Sequence, residues 1–112
     1  MVGQDAWIAV YIVASARNGT LYTGVTSQLP SRVQQHKLGT TDGFTRQYGC
    51  KTLVWYEDHP FMPEAIRREK QIKRWRRAWK LALIEGGNPE WRDLSEGWFD
   101  VPEGPLSWMQ RC

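Results

Sequence analysis

Five side chains in this sequence are of the types that act on phosphate: Tyr11, Tyr22, Arg32, His36 and Glu69. Arginine offers a planar fork of N–H donors that matches phosphate oxygens. Histidine donates to the same oxygens or moves a proton. A glutamate is a hard oxygen donor suited to Mg²⁺, which keeps most of its own water. Tyrosine titrates near about 10 in water, so a tyrosine base requires a neighbouring cation or a metal-activated water. Together the set describes phosphodiester hydrolysis. Water or tyrosinate is the base, Arg32 and His36 meet the developing charge, and Glu69 holds a divalent metal. Each member alone has an ordinary structural reading. Arg32 and His36 suit an i,i+4 surface pair. The tyrosines suit core rings with a bonded hydroxyl. Glu69 suits a buried ion pair, for example with Arg32.

The elements that must position these residues follow from local pattern. Trp7 to Ala14 is rich in β-branched and aromatic residues and reads as a buried strand. Arg17-Asn18-Gly19-Thr20 carries a hairpin signal. Leu21 to Thr26 is then an antiparallel partner that sets Tyr22 beside Tyr11, and Gly24 marks a close backbone approach. A helix is expected from Ser27, as N-cap, through Pro30 to Leu38, ending at Gly39. Its wheel puts Leu29, Val33 and His36 on one face, with Arg32 at the border. Residues 40–49 are polar and turn-rich, with one short helical turn around Phe44 to Tyr48. Lys51 to Glu57 reads as a third strand. A helix from Pro63 carries Ala65, Ile66, Glu69 and Ile72 on one face. Its seam then drifts to Trp75, Trp79, Ala82 and Leu83, and continuing the first face would bury Arg76. A break near Arg74 to Arg76 is therefore expected. Gly86-Gly87 ends the second helix, and Trp91 with Leu94 is expected to pack back on the domain. The whole is a small α/β (α+β) sandwich, and its opening antiparallel hairpin excludes a doubly wound parallel fold.

The chain has 112 residues, enough for one domain with its own core. Residues 1–5 are expected to be a flexible start, 6–95 the domain, and 96–112 a tail docked through Trp98, Phe99 and Trp108. Net charge is only +3, but Arg67, Arg68, Lys70, Lys73, Arg74, Arg76, Arg77 and Lys80 crowd one short window. Such a block suits a polyanion such as nucleic acid, although a solvated helix face has the same composition. Cys50 and Cys112 have no zinc spacing, which favours a reducing compartment. The apolar run at the N-terminus is too short to span a bilayer and follows no basic segment. These points lead to a cytoplasmic protein with no membrane and no obligate protein partner.

The order of these motifs resembles the GIY-YIG nuclease superfamily, in particular its small stand-alone bacterial members. The first motif stands as Ala9-Val10-Tyr11 and the second as Tyr22-Thr23-Gly24. The helical arginine matches Arg32 and the Tyr-or-His one turn later matches His36. The metal-binding glutamate matches Glu69 in Arg67-Arg68-Glu69-Lys70. Gly43-Phe44-Thr45, Leu53-Val54-Trp55-Tyr56-Glu57, Arg76-Arg77-Ala78-Trp79-Lys80 and Asn88-Pro89-Glu90-Trp91-Arg92-Asp93-Leu94 resemble signatures of the stand-alone group, so the likeness runs over residues 6–95. It implies a central three-stranded antiparallel sheet flanked by helices. It also implies metal-dependent hydrolysis of nucleic acid, with Mg²⁺ first and Mn²⁺ second. DNA is expected ahead of RNA, and repair or processing is the expected setting. Catalysis falls to Tyr11, Tyr22, Arg32, His36 and Glu69, with Tyr22 the favoured base. From the basic block rather than the resemblance, Arg67, Arg68, Lys70, Lys73, Arg74, Arg76 and Arg77 are expected to contact nucleic acid. The chain departs from the family pattern at Ala9, where the first motif has glycine, and Asn88 is given no catalytic role. A nucleic-acid-binding module without turnover is the competing expectation, resting on the basic helix and Ala9. An interaction domain using the tryptophan-rich tail is a third.

Overall fold

A computed structural model describes residues 6–41 and 43–99. Expectations for residues 1–5, Trp108 and Cys112 lie outside the described residues.

Three strands, β1 (Ala9–Ala14), β2 (Leu21–Thr26) and β3 (Thr52–Asp58), form one antiparallel sheet in the order β2-β1-β3. Every residue of β1 is buried. The reason is its central place, with a strand on each edge and packed side chains on each face. Val10, Ile12 and Ala14 point one way, and Ala9, Tyr11 and Val13 point the other. The Ala9 methyl fits that second face without exposure. The β1–β2 loop turns at Asn18, whose φ is 59°.

Helix α1 (Leu29–Leu38) covers the Tyr11 face through Leu29, Val33 and His36, the three residues its wheel selects. It ends at Gly39, which takes a left-handed φ of 72°. Its start differs from expectation, since the cap position is Gln28 and no side chain caps it. The backbone at that point is held by strand-like pairing instead: Trp7 N donates to Ser27 O, and Leu29 N donates to Trp7 O. Helix α2 (Gly43–Tyr48) realises the short turn and buries Thr45.

Helix α3 (Met62–Lys73) packs on the opposite face through Ala65 and Ile72, with Glu69 buried alongside. The chain breaks over residues 74–76, Arg76 is extended, and α4 (Arg77–Gly87) begins. Two details of the expected faces are corrected. Ile66 is exposed, and on α4 the inward side is Ile84 with half-buried Leu81 and Leu83, while Trp79 and Ala82 face outward. Ile66 lies at the margin of the Ala65–Glu69–Ile72 stripe, on the solvent side; the break resets the helical phase, so the α4 face counted through it is rotated.

Residues 88–99 wrap from one face of the sheet to the other. Trp91 enters the Val10–Ile12 cluster, whereas Leu94, Trp98 and Phe99 pack on the Tyr11 side, where Trp98 stacks against Trp7 at 5.2 Å. Polar side chains hold this wrap. Asn88 Nδ2 donates to Val54 O and Arg92 O, and its Oδ1 accepts from Arg92 N. Asp93 accepts from Lys37 Nζ, Ser95 N and Ser95 Oγ. Burial alone raises the Asp93 carboxyl, but these bonds outweigh it and hold it below the usual carboxylate range.

Candidate active site

Tyr11 lies in the sheet's central strand with its ring across β2. The register sets it opposite Gly24. A Cβ at position 24 would stand 2.5 Å from Tyr11 Oη and 2.6 Å from Cζ. Glycine is required there for the ring to lie flat, which is the close approach Gly24 signalled. The hydroxyl so placed meets His36 Nε2 of α1 at 2.9 Å, a buried hydrogen bond between elements far apart in sequence.

Tyr22 opens this pair to solvent. It is opposite Val13 in the register and so shares the Tyr11 face, but β2 is an edge strand and Tyr22 is only half-buried. Its ring centroid is 6.5 Å from Tyr11 and 5.7 Å from His36. Across the edge of β2, Lys73 from α3 places its ammonium 5.6 Å from the centre of the Tyr22 ring. The same ammonium is 2.7 Å from Glu69 Oε2, one helical turn back. The hydrogen bond to Glu69 raises the Lys73 pKa above its ordinary value against the opposing effect of burial. Tyr22 therefore joins two halves, a buried hydrogen-bonded pair from one face and an ion pair from the other.

Tyr11, Tyr22 and His36 are in mutual ring contact, and Glu69 reaches this group through Lys73. Arg32 stands one turn before His36 with an exposed side chain, and it makes no ion pair among the described residues. The buried pairing allowed for Glu69 is thus with Lys73 rather than Arg32. Lys73 is the site residue that sequence reasoning left in the basic block. Its signal was the i,i+4 spacing from Glu69. Among the described residues no cluster of three or more His, Cys, Asp or Glu side chains gathers to hold a metal. Glu69 is the one carboxylate here, buried, with its Oε2 on the Lys73 ammonium.

The basic block separates into two groups. Arg68 bonds Glu57 and Gln71 and lies over Trp75, Arg76 lies over Trp79, and Arg77 donates to Asn18 O and Gly19 O, gripping the β1–β2 turn. Arg67, Lys70 and Arg74 are exposed and, with Trp75 and Trp79, line a groove of about 590 Å³. Lys80 is half-buried near Lys73 and Arg77, and its pKa is lowered by burial and then by these cations.

Comparison with known proteins gives the following. The family model described as GIY-YIG catalytic domain matches residues 8–82, a span that includes Tyr11, Tyr22, Arg32, His36 and Glu69. A UPF0213 protein of Aeromonas salmonicida is 31% identical over 103 residues, which is 92% of this chain and 74% of that protein. A UPF0213 protein of Streptococcus sanguinis is 35% identical over 77 residues, 69% of this chain and 88% of that protein. The solution NMR structure of a UPF0213 protein from Bacillus halodurans superposes with a TM-score of 0.49 at 27% identity, covering 80% of this chain and 96% of that one.

Proposed function

The chain belongs to the GIY-YIG family, a family of nucleases, and we propose that it is itself a metal-dependent endonuclease that hydrolyses phosphodiester bonds. The observation that carries this reading is Tyr22, flanked by the Tyr11–His36 pair on one side and by the Lys73–Glu69 pair on the other. DNA is the expected substrate ahead of RNA, in repair or processing. In this account Tyr22, as the tyrosinate, takes a proton from the attacking water, and Tyr11 with His36 fixes the orientation of its ring. The water oxygen bonds to phosphorus, one P–O bond of the backbone breaks, and the leaving oxygen takes up a proton from solvent. Arg32, exposed one turn from His36, closes its fork on the phosphate oxygens. Lys73 adds positive charge next to Tyr22 and sets the Glu69 carboxylate.

Glu69 fits the divalent cation that the family generally uses, since a nearly buried carboxylate with Oε2 on Lys73 would hold the cation through its second oxygen, with water and phosphate oxygens as the remaining donors. When bound, Mg²⁺ or Mn²⁺ supplies Lewis-acid stabilisation of charge on the phosphate. Exposed Arg67, Lys70 and Arg74 bind backbone phosphates of the same strand.

A second reading rests on the Lys73–Glu69 contact. An ammonium already neutralises the carboxylate, as it would in a nucleic-acid-binding module without turnover. Cleavage assays separate the two. Labelled single-stranded, duplex, flapped and branched DNA and single-stranded RNA would be incubated with Mg²⁺, Mn²⁺ or a chelator. Cleavage that disappears with the chelator is the expected result. Salt-sensitive binding without cleavage of any substrate would establish the binding module instead.

A further inference from the structure

The rings of the candidate site do not stop at Tyr22. Phe44 of α2 lies 6.0 Å from Tyr22, and Tyr48 lies 4.9 Å from Phe44. Both are large and nearly half exposed, at 46% and 48%. Helix α2 docks on the domain through Thr45, its buried residue. That leaves the i,i+4 pair Phe44 and Tyr48 directed away from the core, one above the other. A lone exposed aromatic is ordinary. Here the exposed rings continue a contact series that starts at the buried Tyr11–His36 bond and passes through Tyr22. The Lys73 ammonium flanks the inner end of the series at Tyr22, paired there with Glu69, and the exposed Arg32 guanidinium stands one turn from His36.

We propose that Phe44 and Tyr48 form a stacking platform for an unpaired nucleobase, the base of the nucleotide whose phosphate enters the site at Tyr22. The proposal rests on reading that site as one for nucleic-acid phosphate. A base in a duplex already has neighbours on both faces. An exposed ring pair beside a phosphate site, its two rings inclined at 46° so that each offers its own face, instead rewards a base that has left the stack, in a single strand, a loop or a flap. Every base has such a face, so the platform confers a preference for unpaired structure rather than for sequence. Phe44 and Tyr48 are then specificity residues. They contact the substrate away from the bond that breaks.

The test uses the full chain in a chelator, so that binding is read apart from cleavage. Affinity would be measured for a fluorescently labelled oligodeoxyadenylate and for an abasic deoxyribose-phosphate strand of the same length. Wild type is expected to prefer the strand with bases by roughly fivefold to a hundredfold, the range for loss of one or more stacked bases. The double variant F44L/Y48L keeps apolar volume but has no aromatic face, and it should lose most of that preference while binding the abasic strand as wild type does. F44W/Y48F, which keeps two ring faces, should retain it, and unchanged abasic-strand binding by F44L/Y48L excludes a loss through misfolding. Equal preference in wild type and F44L/Y48L would overturn the platform, as would the absence of any preference in wild type. Failure of the nuclease reading would look different: the preference and its loss would persist while no substrate is cleaved with Mg²⁺. Conversely, equal cleavage of single strands by wild type and F44L/Y48L would leave the nuclease standing and remove the platform.

Discussion

The two faces of β1 are built from alternate residues of one six-residue strand and have different consequences. Val10, Ile12 and Ala14 meet Ala65, Ile72, Ile84 and Trp91, a cluster held by shape and apolar contact. Ala9, Tyr11 and Val13 meet α1, and there a buried hydroxyl must be satisfied, which His36 does at 2.9 Å. Apolar packing fixes how firmly a segment is held. A buried polar pair also fixes which atom points where, because leaving either member unpaired is costly. The proposed chemistry lies where the polar face reaches the edge of the sheet at β2. Glu69 and Lys73 come to that edge from the helix that covers the other face.

This contrast can be broken from either side. Tyr22→Phe removes the hydroxyl of the favoured base at a half-buried edge position. Single-turnover cleavage should fall by about 10²- to 10⁴-fold, the usual contribution of a positioned acid or base. The melting temperature should barely move. On the other face, Ile12→Ala should cost about 2–5 kcal/mol in urea unfolding, since Ile12 is fully buried. The protein that remains folded should cleave at the wild-type rate. If the two variants exchanged phenotypes, the division between the faces would be wrong. A smaller effect is expected at the wrap of residues 88–99. Asp93 is held below its ordinary carboxylate value by Lys37 and Ser95, so folding favours its ionised form. That stabilisation is fully present above the unfolded-state value and is lost as pH falls through the lowered folded-state value. Asp93→Asn should remove about 1 kcal/mol near neutrality, below the roughly 1.5–3 kcal/mol of charged hydrogen bonds because the site is partly exposed. Its stability should also lose that part of the acid dependence, which melts across a pH series would read.

Much of the frame was legible because it depends on short-range pattern. The β1 and β2 segments, the Leu29–Val33–His36 face, the stop at Gly39 and the break at 74–76 all follow from neighbours within a few residues. Gly24 was legible as a close approach, though not that Tyr11 makes it. Outward-facing Trp79 and Ala82 were misread because one helical phase was carried across two helices. Lys73 and Arg77 carry the same charge in the same block, yet one pairs with Glu69 beside Tyr22 and the other grips the turn at Asn18. The Lys73–Glu69 pair is signalled by its i,i+4 spacing, but its place beside Tyr22 and the grip of Arg77 on the turn depend on how α3 and α4 sit on the sheet, which no local pattern states. The amide of Asn88 is a similar case, since its partner Val54 lies 34 residues earlier.

The most direct test of the central claim is Glu69→Ala, read in parallel for metal-dependent cleavage and for metal-free binding of the same labelled strand. If Glu69 holds the cation for chemistry at Tyr22, cleavage should disappear into background while binding stays within a few-fold of wild type. Cleavage that survives this change would show that the Tyr11–Tyr22–His36–Glu69 constellation is not the active site.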